Sequence, residues 1–242
     1  DLRAGANLAG AERLRATAGM SFMGVTLVGQ GFVVEPDDTT LVSEPTSVKK
    51  YLVGNELMQR PKGRHVIDLF GLSADDARRQ FPLAFQRLLT EVKPQRDTSN
   101  RAAYRDKWWV FGEPRPEMRR ALSELDRFIA ICRTAKHFAF QFVAGDVVVE
   151  SKVIAIAFSA PASLGALTSR VHLAWAIAQG SRHGMGNDLT YNNSRCFETF
   201  PFPDTSAEQQ KRIGDLAEEI DAVRKRQQAT HADLTLTGIY NV

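Results

Sequence analysis

Cations and flat rings alternate along one stretch of this chain, and the chemistry they suit is the binding of a polyanion with flat bases. Between Tyr104 and Phe142 the sequence reads YRDKWWVFGEPRPEMRRALSELDRFIAICRTAKHFAFQF. Lys107, Trp108, Trp109, Phe111 and Arg115 lead into a short helix. An apolar strand over 128–132 follows, then a basic knot of Arg133, Lys136 and His137, then a second strand over 138–143. A plainer assignment stands beside this one: two adjacent tryptophans as core and rim of one element, with the arginines merely solvated. The charge distribution favours the first. Residues 93–136 hold 11 Lys/Arg against 6 Asp/Glu, a local excess of five, whereas the whole chain of 242 residues carries only +3. A polyanion would be steered to that segment.

Catalytic chemistry is hard to find. The five histidines, His65, His137, His172, His183 and His231, are scattered without metal-ligand spacing, and there is no GxSxG nucleophile elbow. Cys132 and Cys196 form neither a CxxC nor a disulfide framework, which fits a reducing, cytoplasmic setting. Asp146, Glu150 and Lys152 resemble the acid–acid–lysine set of a magnesium-dependent nuclease, but Asp146 and Glu150 are only four residues apart in a hairpin-like segment. A hairpin with charges on its solvent face explains them as well. Gly24, Gly29 and Gly31 are turn or bulge positions rather than a phosphate loop, since no GxGxxG or GxxxxGK[ST] is present.

The elements that position these residues follow from spacing. Residues 1–18 read as a polar helical linker, 21–34 as two short strands, and 36–45 as an acidic, proline-bounded loop. A basic turn, with Lys62 and Arg64 at its tip, precedes a strand over 65–70. Ser73 is placed to cap a helix over 74–79. Phe85, Leu88, Leu89 and Val92 share one face of a second helix, which Pro94 ends. Strands fill 147–158, and an amphipathic helix over 163–179 buries Leu164, Leu167, Val171, Ala174 and Trp175. A polar loop over 180–195, GSRHGMGNDLTYNNSR, is long enough to suggest function. The last helix, capped by Thr205 or Ser206, carries an apolar stripe of Ile213, Leu216, Ile220 and Val223. The fold class expected is α+β: a mixed, largely antiparallel sheet with flanking helices and a C-terminal helix. No apolar run is long enough to span a membrane.

Several segments together resemble the target-recognition region of MmeI-type restriction–modification enzymes and their methyltransferase relatives. They are YLVGNE from Tyr51, KWWVFGEPRPEMR from Lys107, ICRTAKH from Ile131, HLAWA from His172 and CFETFPFP from Cys196. The resemblance covers roughly residues 15–204. That family consists of large adenine-specific (N6) DNA methyltransferases, often fused to a nuclease. It implies domains at 1–18 (linker from a catalytic domain), 19–204 (DNA target recognition) and 205–242 (start of a C-terminal helical segment). The first residues, Asp-Leu-Arg rather than Met, fit a piece of a longer polypeptide. The family binds S-adenosylmethionine at a Gly-rich turn and holds the flipped adenine at Asn-Pro-Pro-Tyr, and neither motif occurs here. The cofactor is therefore expected in the parent enzyme and not in this chain. The partners expected are double-stranded DNA and the parent's methyltransferase domain, with no membrane.

By the same resemblance, the base-reading segments match Arg133–His137 and about 182–193. Arg133 and Arg182 suit guanine O6/N7, Asn187, Asn192 and Asn193 suit adenine N6/N7, and Asp188 suits cytosine N4. His137 and His183 belong to the same two segments. Lys62, Arg64, Lys107, Arg115, Lys136 and Arg195 are assigned to phosphates. The rival from another class is a protein–protein module that docks through Trp108, Trp109, Phe111 and the amphipathic last helix.

Overall fold

The computed structural model describes residues 10–183 and 188–241; the side chains of Arg182 and His183 lie outside the description. Its centre is a four-stranded antiparallel sheet. The order is β1 (Ser21–Met23), β9 (Val153–Ile156), β5 (Arg127–Cys132) and β7 (Gln141–Ala144). The central strand β5 is a continuous apolar run because both faces of the sheet are covered. Phe128, Ala130 and Cys132 enter one core, and Ile129 and Ile131 enter the other.

The first core lies under a second sheet of β2 (Val33–Val34), β4 (His65–Ile67), β3 (Val48–Leu52) and β8 (Val148–Val149), in the order β2-β4-β3-β8. Only β3–β8 is parallel among the named strand pairs. It is closed by α1 (Gly54–Met58), α2 (Ala74–Gln80), α3 (Pro82–Glu91), α4 (Lys93–Asp97), α5 (Ala102–Asp106) and α6 (Pro116–Leu122). The second core lies under α7 (Pro161–Thr168), α8 (Arg170–Gln179) and α9 (Ala207–Thr230). A third, small sheet joins β6 (Thr134–Ala135), β10 (Ser181–His183) and β11 (Asp188–Thr190), and α10 (Leu236–Ile239) closes the chain. The class is α+β, with antiparallel pairing dominant. Among the described residues no helix is long and apolar enough to cross a membrane.

Local signals hold at the caps: Ser73 Oγ accepts from the Asp76 amide at 3.1 Å, and Ser206 with Gln209 forms a capping box on α9. Five expectations shift. Residues 1–9 lie outside the description, and within 10–18 a 3₁₀ turn at Arg15–Thr17 stands where a long helix was expected. Pro94 does not stop the helical path, because it enters the first turn of α4, where a missing N–H leaves no bond unmade. The second strand of the basic stretch ladders only over Gln141–Ala144. The helix expected over 163–179 breaks at Ser169, whose hydroxyl accepts from the His172 amide at 3.2 Å and starts α8 in a new direction. That turn buries His172 and Ala176 and leaves Val171 exposed at 72%.

The fifth concerns α9. Its buried face is Gly214, Ala217, Asp221 and Arg224, one position round from the apolar stripe, and Leu216 and Ile220 face outward. The reason is the edge of the central sheet. β7 is an edge strand with unpaired backbone groups that need partners. Arg224 Nη1 donates to Phe140 O at 2.8 Å, Lys225 Nζ donates to Phe142 O at 3.1 Å, and Asp221 Oδ1 accepts from the Phe142 amide at 3.4 Å. Small residues then let α9 lie close to α7: a Cβ added at Gly165 would stand 2.4 Å from Ile213 Cγ2.

Candidate nucleic-acid interface

The small sheet brings together two segments about fifty residues apart in sequence. β6 leaves the end of β5 at Arg133 and pairs antiparallel with β11, Thr134 opposite Thr190 and Ala135 opposite Leu189. β11 pairs in turn with β10, Ser181 opposite Thr190, Arg182 opposite Leu189 and His183 opposite Asp188. Within the long polar segment, expected as a loop, Ser181–His183 and Asp188–Thr190 therefore form paired strands. The bond from the Tyr191 amide to Arg133 O, at 2.8 Å, ties the exit of the hairpin to the basic knot. Arg133, Lys136, Asp188 and Arg195 are exposed there, and His137 is half-buried. None of Arg133, Lys136 and Arg195 is held in an ion pair among the described residues. Asn187 lies outside the described residues.

The hairpin stands on a buried aromatic base. Tyr191 is fully buried, edge-on to Phe138 and Phe140. His172 Nδ1–H donates to Leu167 O at 2.7 Å, so Nε2 is left to accept from the Tyr191 hydroxyl at 3.2 Å. Burial holds the imidazole neutral, with its pKa down from 6.5 to about 4. Burial likewise raises the Tyr191 hydroxyl and the Cys196 thiol, so neither ionises near neutrality. Cys132 is raised for the same reason, and neither thiol has the character of a nucleophile.

Past Tyr191 the chain turns tightly. Asn192 Oδ1 accepts from the Ser194 amide at 3.0 Å and the Arg195 amide at 3.3 Å, capping a short π-helical segment, Asn193–Phe197. Asn193 Nδ2 reaches Ser21 O at 3.4 Å. The Asn192 oxygen thus shapes the backbone, and Asn193 ties the turn to β1.

The aromatic–basic run is placed elsewhere. Trp108 and Phe111 are core residues: Trp108 packs on Phe85 and Trp109, and Phe111 packs on Phe32. Trp109 Nε1 donates to Leu72 O at 3.0 Å. Trp108 and Phe111 therefore present no face to a base or to a partner protein, which corrects both expectations for those two rings, while Trp109 is half-buried. Arg115 starts α6 in a left-handed conformation (φ 56), with Nε donating to Gly24 O at 3.2 Å and Nη1 3.7 Å from Glu113. Arg64 pairs with the buried Glu56. Lys62 and Lys107 are exposed, apart from the small sheet's own strands.

The nuclease-like trio does not assemble into a metal site. Asp146 pairs with Lys50 at 3.0 Å, and Glu150 Oε2 is 3.4 Å from the Gly54 amide. No group of three His, Cys, Asp or Glu among the described residues is placed to hold a metal ion. Lys152 instead belongs beside the basic knot, because the Arg133 amide donates to its carbonyl at 2.7 Å and its side chain is exposed. The close approach of Gly54, whose added Cβ would stand 2.9 Å from Lys152 Cβ, packs α1 against this root. No local sequence signal marks Lys152 as a neighbour of Arg133; only the pairing of β5 with β9 does.

Comparison with known proteins follows the same lines. The family described as MmeI, target recognition domain, matches residues 16–204. The fold is similar to that in a solved structure of the type IIL restriction–modification enzyme MmeI in complex with DNA, with a TM-score of 0.72 and 19% identity. That likeness covers 92% of this chain and 29% of the other. A 71-residue segment is 35% identical to DNA methyltransferase A of Bacillus subtilis (strain 168), covering 29% of this chain and 8% of that protein. The chain thus spans less than a third of either relative.

Proposed function

This chain belongs to the MmeI target recognition domain family, and on that premise we propose that it is the sequence-reading module of an adenine-specific DNA methyltransferase or restriction–modification enzyme. It holds a duplex and sets which adenine is presented. Methyl transfer from S-adenosylmethionine belongs to another part of the parent, and this chain's residues carry no motif for that cofactor. An enzyme that modifies a base within a duplex extrudes it, so the reader must grip the backbone on both sides of the target. The parent's methyltransferase domain is the protein partner in this reading, and the cytoplasm is its compartment. The domain limits follow the same assignment: 19–204 as the reader and 205–242 as a C-terminal segment.

One observation carries the proposal: a small sheet joins the start of the Arg133–His137 segment, through β6, to the strands Ser181–His183 and Asp188–Thr190 of the polar segment. Arg133, Arg182, Asp188 and Asn187 are the candidates for base edges, together with His137 and His183. Lys136, Arg195 and Lys152 stand as phosphate contacts beside them, with Lys62 and Lys107 farther out. Arg64, Arg115 and the Asn192 oxygen already have partners within the chain and are assigned to structure.

Duplex binding across a salt series tests this. Affinity should fall linearly with log salt, with a slope of roughly −0.9 per phosphate neutralised. A bound motif should emerge from random duplexes, and competitor RNA should displace little. Binding that ignores salt would reject the proposal. A second reading has its own observation: α7, α8 and α9 leave a groove of about 470 Å³ with Val171, Leu216 and Ile220 exposed along it. An apolar surface of this kind suits packing on another protein domain, and salt-insensitive association would favour it.

A further inference from the structure

His137 is the one side chain of the basic knot whose ring is held in place, and what holds it is the C-terminal turn. The Arg60 guanidinium donates to the carbonyls of Gln228 and His231, fixing the end of α9. Thr235 caps α10, Leu236 is buried in the first core, and Thr237 Oγ1 reaches Met58 O at 3.4 Å. Tyr240 then lies beneath the Arg224 guanidinium, 5.1 Å from the ring centroid, and Arg224 itself grips Phe140 O. The Tyr240 and His137 rings are 5.9 Å apart and inclined by 31°. His137 Nε2 is 2.9 Å from Asn241 Oδ1.

An amide oxygen only accepts, so Nε2 carries the proton and, in the neutral ring, Nδ1 is left as an acceptor. We propose that Tyr240 and Asn241 are positioning residues for base recognition: they fix the His137 ring in its Nε2–H tautomer and present Nδ1 to an amino group of a base. In the major groove that group is cytosine N4 or adenine N6, and guanine O6/N7, which needs a donor, is disfavoured. The segment after α9 thereby becomes part of the reading face. This rests on the proposed function for its ligand, but the tautomer does not depend on DNA.

Two measurements on the same chain test it. Nitrogen-resolved NMR of the His137 imidazole should show the Nε2–H tautomer in the wild type and a tautomer mixture in Asn241→Ala. Tyr240→Phe should keep the wild-type pattern where Tyr240→Ala does not. Binding to duplexes carrying every single-base change in the selected motif should show discrimination at one base pair reduced about tenfold in Asn241→Ala, with an unchanged salt slope. Unaltered His137 resonances in Asn241→Ala overturn the proposal, as does an equal loss of affinity on all sequences. A wild type that binds no duplex selectively, while His137 behaves as expected, overturns the proposed function and the specificity role, leaving the tautomer assignment intact.

Discussion

Two regions of this molecule share one vocabulary and do opposite things with it. The run around Trp108 and the knot around Arg133 both mix arginine and lysine with rings. In the first, Arg96 and Arg119 are interior fittings. Arg96 is 1% exposed, stacks over Phe32 and Tyr104, and donates to the carbonyls of Leu27, Val28 and Val110. Arg119 faces Phe70 and Phe111 and holds Asp68 at 2.7 Å. In the second, the rings sit below and the cations above: Tyr191, Phe138 and Phe140 are buried, and Arg133 and Lys136 are free at the surface. Arginine among aromatics is therefore ambiguous until the carbonyls and carboxylates that receive its donors are known. An arginine that ends on its own backbone braces a loop, and one that ends in solvent is available to a ligand.

The comparison breaks most visibly at Trp108. Trp108→Ala should destabilise the fold by about 3–5 kcal/mol, the range for a large buried ring. Urea unfolding measures it, and duplex affinity, assayed well below the midpoint, should stay near wild type. Arg133→Ala should do the reverse, leaving the unfolding midpoint almost unmoved. If Trp108→Ala instead lost DNA affinity while staying folded, the division between the two regions would be wrong.

The base beneath the hairpin gives the next largest effect. The folded-state pKa of His172 is depressed by burial to about 4 from 6.5, and Tyr191 and Cys196, which pack against it, stay neutral over that range. Between those two values the unfolded chain binds the proton that the folded chain refuses. Stability is therefore complete above about pH 6.5 and declines as pH falls toward 4, by on the order of 3 kcal/mol in all from this group. Unfolding midpoints measured from pH 7 to pH 4 should show that decline, and His172→Gln should flatten it. A stability that rises on acidification over this window would reject the neutral, hydrogen-bonded imidazole.

Much of this was legible before the structure. The apolar strand of residues 128–132, the cap at Ser73 and a cap at Thr205 or Ser206 follow from local chemistry, and local chemistry is what a sequence displays. The basic knot and the polar segment were each legible as candidates. Their meeting in one sheet was not, because it rests on register between β6 and β11, some fifty residues apart. Trp108 and Trp109 misled for a related reason: composition shows that rings and cations are neighbours, but not which side of the backbone faces water. His137 was legible as a member of the knot. Its tether to Asn241 needed α9 and α10 folded back across the whole domain.

Within the knot itself the comparison sharpens to single contacts. Arg133→Ala should lose about 1–3 kcal/mol on the preferred sequence and relax one base position. Lys136→Ala should weaken every sequence alike and lower the salt slope by about one unit. Affinity measured on matched and mismatched duplexes at several salt concentrations separates the two. Identical behaviour of both variants on every duplex would place both cations on phosphates.

The smallest effect tests the same lesson on α9, where the apolar stripe and the buried face are different sides of one helix. Leu216 is 54% exposed, and Asp221 and Arg224 are each 5% exposed while holding the edge of β7. Leu216→Ser should change stability by within about 0.5 kcal/mol, as expected for a surface position away from any network. Arg224→Met should cost more, because Phe140 O loses its donor and Asp221 loses a neighbouring charge. If Leu216→Ser proved the more damaging of the two, the helix would be docked by its apolar stripe after all. Chemical denaturation of the two variants, run side by side, therefore asks whether the demands of an edge strand outrank hydrophobic periodicity in setting which face of a helix is buried.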